Sequence, residues 1–257
     1  MLKYAFLFPA LGLLAFLTLL LGIWQGNFSW FVMTCTLTIA ITVWGVFDIR
    51  LGYFVSTFFR KKNPSSKMLA LTFDDGPTPY TIEILNLLRA YQVKATFFCI
   101  GKQMLDYPEI VDQLIVEGHT LGNHTFTHSQ VFGFLNERQV VEELKKTDKI
   151  IRDKLGKSPK FFRPPFGVTN PSIAKAVKRS RHHVIGWSNR SLDTVTWNAD
   201  KIFNRVTNRL KSGDIILFHD TSQRTVNVLK RLLPYLQDNG YTCVSVDVLL
   251  NLYAYDS

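Results

Sequence analysis

Two carboxylates stand side by side in Thr72-Phe73-Asp74-Asp75-Gly76-Pro77, and about fifty residues on come two imidazoles in Asn123-His124-Thr125-Phe126-Thr127-His128. A carboxylate with two imidazoles is a donor set for one divalent cation. Histidines at i and i+4 share a face if the segment is helical, so both can reach a common ion. Asp75 can supply the third donor. Three protein donors with an open position describe a catalytic site, whereas a structural zinc is usually closed by four, often with cysteines. No cysteine lies near these motifs. If Asp74 ends a strand, successive side chains alternate faces, so one Asp binds the ion and its neighbour stays free.

Each motif alone has a plainer reading. Asp-Asp-Gly-Pro is turn chemistry, and a lone His-x-x-x-His is often a solvated helix face. Their order, and three further segments, argue for chemistry: Arg163-Pro164-Pro165-Phe166-Gly167, Trp187-Ser188-Asn189-Arg190-Ser191-Leu192-Asp193, and Gly213-Asp214-Ile215-Ile216-Leu217-Phe218-His219-Asp220. Each ends an apolar run, where a barrel would put catalytic groups.

With these five segments in this order, the chain resembles the polysaccharide deacetylase family (carbohydrate esterase family 4) from about Lys67 to Asp247. The resemblance implies an N-deacetylase acting on an amino sugar in a glycan or on a lipid carrier. It also implies the roles. Asp74 would be the general base, tethered by Arg163, and Asp75, His124 and His128 the metal ligands. His219, in a Leu-x-His motif with Leu217, would be the general acid, oriented and charge-tuned by Asp193. Phe166 would offer its backbone N–H to the oxyanion. O-acetyl ester hydrolysis on the same scaffold is the alternative reaction, and a non-catalytic carbohydrate-binding membrane protein the alternative class. The presence of every base, acid and ligand residue favours the enzyme.

The roles make chemical sense on their own terms. Amide hydrolysis at neutral pH needs an activated water, and a divalent cation, zinc being the first choice, lowers the pKa of water from about 15.7 toward about 7. A carboxylate can then take the proton, and a neighbouring arginine favours its ionised form. A fixed N–H donor to the oxyanion is worth about 10²–10³ in rate. Histidine suits protonation of the departing amine, because its pKa lies near working pH.

Two positions depart from the family pattern. Arg190 stands where many members have an acidic residue three positions before the Asp, and Thr194 where many have a tryptophan directly after it. Trp197 is the nearest tryptophan and the aromatic candidate for the sugar groove. The change counts against chitin and points to a more anionic ligand. Phe166 replaces a common tyrosine, which matters little if only its backbone acts.

To position these residues, the chain after Arg60 must supply one substantial core from about two hundred residues. Strands are expected at Met68–Phe73, Lys94–Ile100, His119–Asn123, Lys160–Arg163, His183–Trp187, Asp214–Phe218 and Tyr241–Ser245. Helices are expected at Tyr80–Tyr91, Pro108–Glu117, Glu137–Leu155, Pro171–Arg179, Ala199–Leu210 and Thr225–Asp238. Regular βα alternation argues for a helix-covered parallel sheet. The resemblance implies an α/β fold, a distorted incomplete (β/α) barrel with the site at the strands' C-terminal ends.

Residues 1–62 read as a membrane anchor and 63–257 as the catalytic domain. Tyr4–Trp24 and Trp30–Phe47 carry no charge and are long enough to span a bilayer, the second near the lower limit. A cleavable signal would have a shorter apolar core followed by polar sequence, so a retained helical hairpin is expected. Asp48–Arg60, ending in Arg60-Lys61-Lys62, reads as an amphipathic collar along the headgroups. Lys3 precedes the first span, Gln25–Ser29 carry no basic residue, and Arg50, Arg60, Lys61 and Lys62 follow the second. By the positive-inside rule this charge bias favours the cytoplasmic face of a bacterial inner membrane for the domain. The alternative is one span with an interfacial segment and a translocated domain, the side on which most relatives that act on cell-wall polymers work.

The formal net charge is +10. The stretch Lys175, Lys178, Arg179, Arg181, His182, His183 reads first as a solvated helix face, and second as an attraction to anionic lipid or phosphate. Nucleic acid is not an expected partner, since no helix-turn-helix or aromatic stacking motif appears. No protein partner is expected either. Cys35, Cys99 and Cys243 fall in apolar stretches and imply no disulfide framework.

Overall fold

The computed structural model describes residues 3–64 and 66–256. Two helices come first, α1 (Tyr4–Gln25) and α2 (Ser29–Phe47). Gly26 ends α1 in the left-handed conformation (φ 65°), where a side chain would be strained, and its N–H bonds Gly22 O. Both helices are long and apolar enough to cross a bilayer, and only 11% of each apolar window is buried inside the molecule. That distinguishes them from core helices, which bury an apolar stripe. Thr34, Thr36, Thr38 and Thr42 of α2 turn their hydroxyls onto carbonyls four residues earlier, at 2.8–2.9 Å, which satisfies them without water.

The sheet follows: β1 (Thr57–Phe58), β2 (Met68–Asp74), β3 (Thr96–Cys99), β4 (Thr120–Asn123), β5 (Phe161–Phe162), β6 (His183–Ile185), β7 (Asn189–Arg190), β8 (Ile215–His219) and β9 (Thr242–Cys243). All pairs are parallel, in the order β1-β6-β5-β4-β3-β2-β8-β7, with β9 beside the start of β2. The order does not close on itself, so the sheet is the expected incomplete (β/α) barrel. Its helices are α3 (Pro79–Ala90), α4 (Gly101–Asp106), α5 (Pro108–Val116), α6 (Glu137–Leu155), α7 (Pro171–Ser180), α8 (Ala199–Thr207), α9 (Gln223–Asp238) and α10 (Val246–Leu250).

β2 is buried along its length after Met68, covered on both faces, which is why it reads as a near-continuous apolar run. Phe73 stacks on Phe97 and Phe218 at centroid separations of 4.9 and 6.1 Å. Each such buried ring contributes about 1.5–3 kcal/mol. Pairing aligns the strand ends: Asp74 lies opposite Phe98 and His219, and Asn123 opposite Cys99 and Phe162. The groups that follow these ends therefore converge at one rim of the sheet.

The largest departure from expectation is Asp48–Arg60. In place of the expected collar along the headgroups, the segment is tied into the catalytic domain. It makes a 3₁₀ turn at Ile49–Leu51, buries Ile49 and Tyr53, and adds Thr57–Phe58 to the edge of the sheet beside β6, so the sheet begins before residue 63. Tyr53 packs against Gly45 of α2, where a Cβ would stand 2.2 Å from the ring. Tyr53 is buried against protein, while Phe58 stays partly exposed. His182 and His183 also leave the expected solvated face: His182 is buried on Asp148 (3.1 Å), and His183 opens β6 against Phe58.

Candidate active site

Asp74 ends β2, and Asp75 takes a left-handed backbone (φ 74°). The expected alternation stops at that turn, and both carboxylates face the same site. Asp74 Oδ2 lies 3.9 Å from His124 Nε2, and Asp75 Oδ1 lies 3.3 Å from both His124 Nε2 and His128 Nε2. The histidines do not lie on a helix. They sit on the loop after β4, left-handed at Thr125 (φ 66°) and His128 (φ 48°). Asn123 Oδ1 accepts Thr125 N–H at 2.7 Å, and Glu143 Oε2 of α6 accepts Phe126 N–H, Thr127 N–H and the Thr127 hydroxyl at 3.1, 2.8 and 2.9 Å. These bonds do the work of a helical ladder and bring both rings to Asp75.

Arg163 follows β5 and is fully buried. Its guanidinium donates to Asp74 Oδ1 (2.7 Å), Thr72 Oγ1 (2.8 Å), Ile185 O (3.0 Å) and Gly186 O (2.9 Å), and lies 4.1 Å over the Phe98 ring. Its own carbonyl meets His124 Nδ1 at 2.7 Å. That contact fixes the ring so that Nε2 is the free donor atom. One residue thus positions the carboxylate and a candidate ligand.

On the other side, Asp193 Oδ1 accepts from His219 Nδ1 and the Ser191 hydroxyl, both at 2.8 Å, while its Oδ2 accepts His219 N–H and the Thr225 hydroxyl, also at 2.8 Å. Burial alone would lower the His219 pKa, but the Asp193 carboxylate outweighs it and raises the imidazole to about 9. Burial likewise opposes ionisation of Asp193, yet the bonds from His219 hold its carboxyl below the usual range. His219 is therefore a protonated group at neutral pH.

Asp74, Asp75, His124, His128, Phe166, Leu217 and His219 line one cavity of about 230 Å³. Phe166 has a left-handed backbone (φ 60°) in the short turn Pro165–Gly167, and its ring lies 4.9 Å from His128. Trp197 is not brought here: it stands 85% exposed with the Arg224 guanidinium 4.3 Å over its ring. Trp187 lines the cavity instead, with Arg190 and Thr194. Trp187 lies over Gly167, where a Cβ would stand 2.5 Å from the indole. Trp187 was visible as an aromatic after β6, but its reach past Gly167 depends on how the two loops fold.

The donors suit a divalent cation. Asp75 Oδ1 is buried and has no hydrogen-bond partner, and the three donor atoms lie within 4.8 Å of one another. Bonds of about 2.0–2.2 Å to a tetrahedral ion would separate donors by roughly 3.4 Å, close to the 3.3 Å between Asp75 and each histidine. Burial would raise the Asp75 pKa, but His124, His219 and His128 hold its carboxyl well below the usual range, so it is anionic as a ligand must be.

Asp220, named in the sequence motif without a role, follows His219 at the end of β8 and does not line the cavity. It is buried, its Oδ2 accepts the Thr81 hydroxyl at 2.5 Å, its carbonyl accepts the Thr78 hydroxyl, and burial pushes its pKa up to about 7. A Cβ at Gly76 would meet its carboxylate at 1.9 Å, so the Asp-Gly-Pro glycine is what lets β2 and β8 end side by side. Glu143 gave no sequence signal, since a glutamate on an amphipathic helix looks solvated.

A family model described as Polysaccharide deacetylase matches residues 61–185. The chain is similar to a peptidoglycan-N-acetylglucosamine deacetylase of Bacillus cereus, 38% identical over 193 residues that cover 72% of this chain and 89% of that protein. It is also similar to the peptidoglycan-N-acetylmuramic acid deacetylase PdaC of Bacillus subtilis, 33% identical over 188 residues covering 73% of this chain and 39% of that one. Among solved structures, the Bc1960 peptidoglycan N-acetylglucosamine deacetylase matches with a TM-score of 0.73 at 31% identity, over 78% of this chain and 95% of that one.

Proposed function

This chain belongs to the polysaccharide deacetylase family, and from that premise we propose that it hydrolyses the N-acetyl group of an amino sugar in a glycan or lipid-linked saccharide. The observation that carries the reading is the placement of Asp75 Oδ1, orphaned and buried between two imidazoles, with an arginine-held carboxylate on one side and a protonated histidine on the other. Relatives whose names specify peptidoglycan N-acetylglucosamine or N-acetylmuramic acid support the substrate class.

Asp75, His124 and His128 would hold one divalent cation, zinc by first choice, which when bound supplies a water of pKa near about 7 and a positive charge beside the acyl oxygen. Asp74, fixed by Arg163 at 2.7 Å, accepts the proton that the attacking water loses. Phe166, which lines the cavity with a left-handed backbone, would offer its N–H to the oxyanion. His219, held by Asp193, gives its proton to the amine nitrogen as the C–N bond breaks, leaving acetate and a free amino sugar. Leu217 and Trp187 supply apolar walls that exclude water around the acetyl group.

α1 and α2 cross the membrane in this reading, and the four basic residues after α2 against none between the helices favour the cytoplasmic face of a bacterial inner membrane.

Substitution separates the roles. Asp74→Asn removes the base and keeps every ligand, so turnover is expected to fall by about 10²–10⁴ with one divalent ion per chain retained. Asp75→Ala is expected to lose the ion as well as activity. Acetate release and metal content measured on both variants check this; equal metal loss in the two would refute the assignment.

A further inference from the structure

A second cavity, of about 430 Å³, lies where the end of α2 meets the catalytic domain. Trp44 and Phe47 from the last turns of α2 line one side, 60% and 67% exposed. Arg190 at the end of β7, Arg205 on α8 and Arg209 just beyond α8 line the other. The cleft's own carboxylate, Asp48, is engaged by Arg50 through two bonds of 2.8 and 2.7 Å. Among the described residues no carboxylate pairs with Arg190, Arg205 or Arg209. Arg205 Nε donates to the Arg190 carbonyl at 2.9 Å, which ties two of the guanidinium-bearing residues together. Burial and the charges of Arg209 and Arg190 lower the Arg205 pKa from the ordinary arginine value, as expected of cations gathered without a counter-ion.

Three unpaired guanidiniums beside an apolar helix end make a site with two chemistries. Guanidinium forks match phosphate oxygens, and the aromatic side suits a lipid tail. The cleft is also joined to the chemistry, because Trp187 and Arg190 line both cavities. Resting on the deacetylase reading, we propose that this cleft holds the phosphate or diphosphate of a membrane-borne glycolipid, its tail along Trp44 and Phe47 and its N-acetylated sugar reaching past Trp187 and Arg190 to the catalytic cavity. The enzyme's substrate is then a lipid-linked saccharide met at the membrane surface, and Arg190, which lines both cavities, is a specificity residue.

The test uses the full chain, loaded with its divalent ion, in neutral phosphatidylcholine nanodiscs. Binding is measured to polyprenyl diphosphate-linked N-acetylglucosamine, to the same sugar on an uncharged lipid, to inorganic pyrophosphate, and to nanodiscs containing phosphatidylglycerol. Tightest binding to the diphosphate-linked sugar is expected, with affinity reduced about tenfold to hundredfold in Arg205→Ala/Arg209→Ala, the worth of charge-assisted hydrogen bonds. Lys175→Ala/Lys178→Ala, which removes the same charge from exposed positions on α7, is expected to leave it unchanged. Equal loss in both pairs would reduce the effect to bulk charge and overturn the proposal. So would equal affinity for the uncharged glycolipid, pyrophosphate binding as tight as the glycolipid, or full occupation by phosphatidylglycerol. Acetate release separates the two levels. Binding without acetate release from any N-acetylated sugar sinks the deacetylase reading and leaves the cleft standing, whereas release from phosphate-free oligosaccharide as fast as from the glycolipid sinks the cleft alone.

Discussion

Asp193 and His219 make a buried ion pair whose pH dependence follows from its geometry. His219 is raised to about 9 in the folded protein, above the unfolded value of about 6.5. The imidazolium's share of the pair's stability is therefore present below about pH 6.5 and is lost as pH rises through about 9, while the share of the depressed Asp193 carboxyl is lost at the acid end. If the same proton serves the leaving amine, as proposed, the basic limb of the rate profile is expected near pH 9. Asp193→Asn removes the counter-charge, and both the limb and kcat are expected to fall. Rate profiles of the two proteins check this, and an unmoved limb would assign it to another group. Asp193, His219 and Arg163 could be named from the sequence because the resemblance supplied them and the proposed chemistry demands their types; Arg163 also follows the apolar run of β5, and His219 ends that of β8. Trp197 misled, because nearness in sequence stood in for nearness in space: the intervening turn, left-handed at Leu192 (φ 62°), carries it outward, and Trp187 lines the cavity instead.

The loop after β4 shows how an element's shape can depend on a distant helix. Glu143 of α6 satisfies three donors of Phe126 and Thr127, so Glu143→Ala leaves them without partners and frees the segment carrying His128. Metal affinity is expected to drop about 10–100-fold, as for outer-shell partners generally, while thermal unfolding shifts by only a few degrees; titration against a competing chelator measures it. Unchanged affinity would mean the loop is held by the ion itself. The i, i+4 histidine spacing suggested a helix because that period is the common way to face two rings together. The alternative, a left-handed loop pinned from α6, depends on a contact between residues 127 and 143 that local spacing does not encode. The long amphipathic α6 was legible to the residue, since its apolar period is local, and α3, α7, α8 and α9 to within about three residues at each end. The two-residue strands β1 and β7 were not, because pairing rather than pattern makes them strands.

At the scale of the whole molecule, the charge asymmetry around α1 and α2 predicts topology. A reporter fused after Ser257 is expected to behave as cytoplasmic, and the residues joining α1 and α2 to be labelled only from outside the cell. Access of an impermeant reagent to the catalytic domain in intact cells would overturn the two-span reading. The anchor is also fastened to what it carries. Thr169 donates its N–H to Val46 O at 3.0 Å and its hydroxyl to Gly45 O at 3.3 Å, Tyr4 N–H bonds Tyr53 O at 2.9 Å, and Tyr53 fills the space above Gly45. With α1 and α2 in a bilayer, such a joint gives the catalytic cavity a set height and a set tilt, unlike a domain on a slack tether that sweeps a volume. For the membrane-borne substrate proposed above, encounter then happens in a plane. The quantity that governs turnover becomes substrate per unit area of membrane, so diluting the bilayer with inert lipid at constant bulk substrate should slow the enzyme, while diluting the suspension should not.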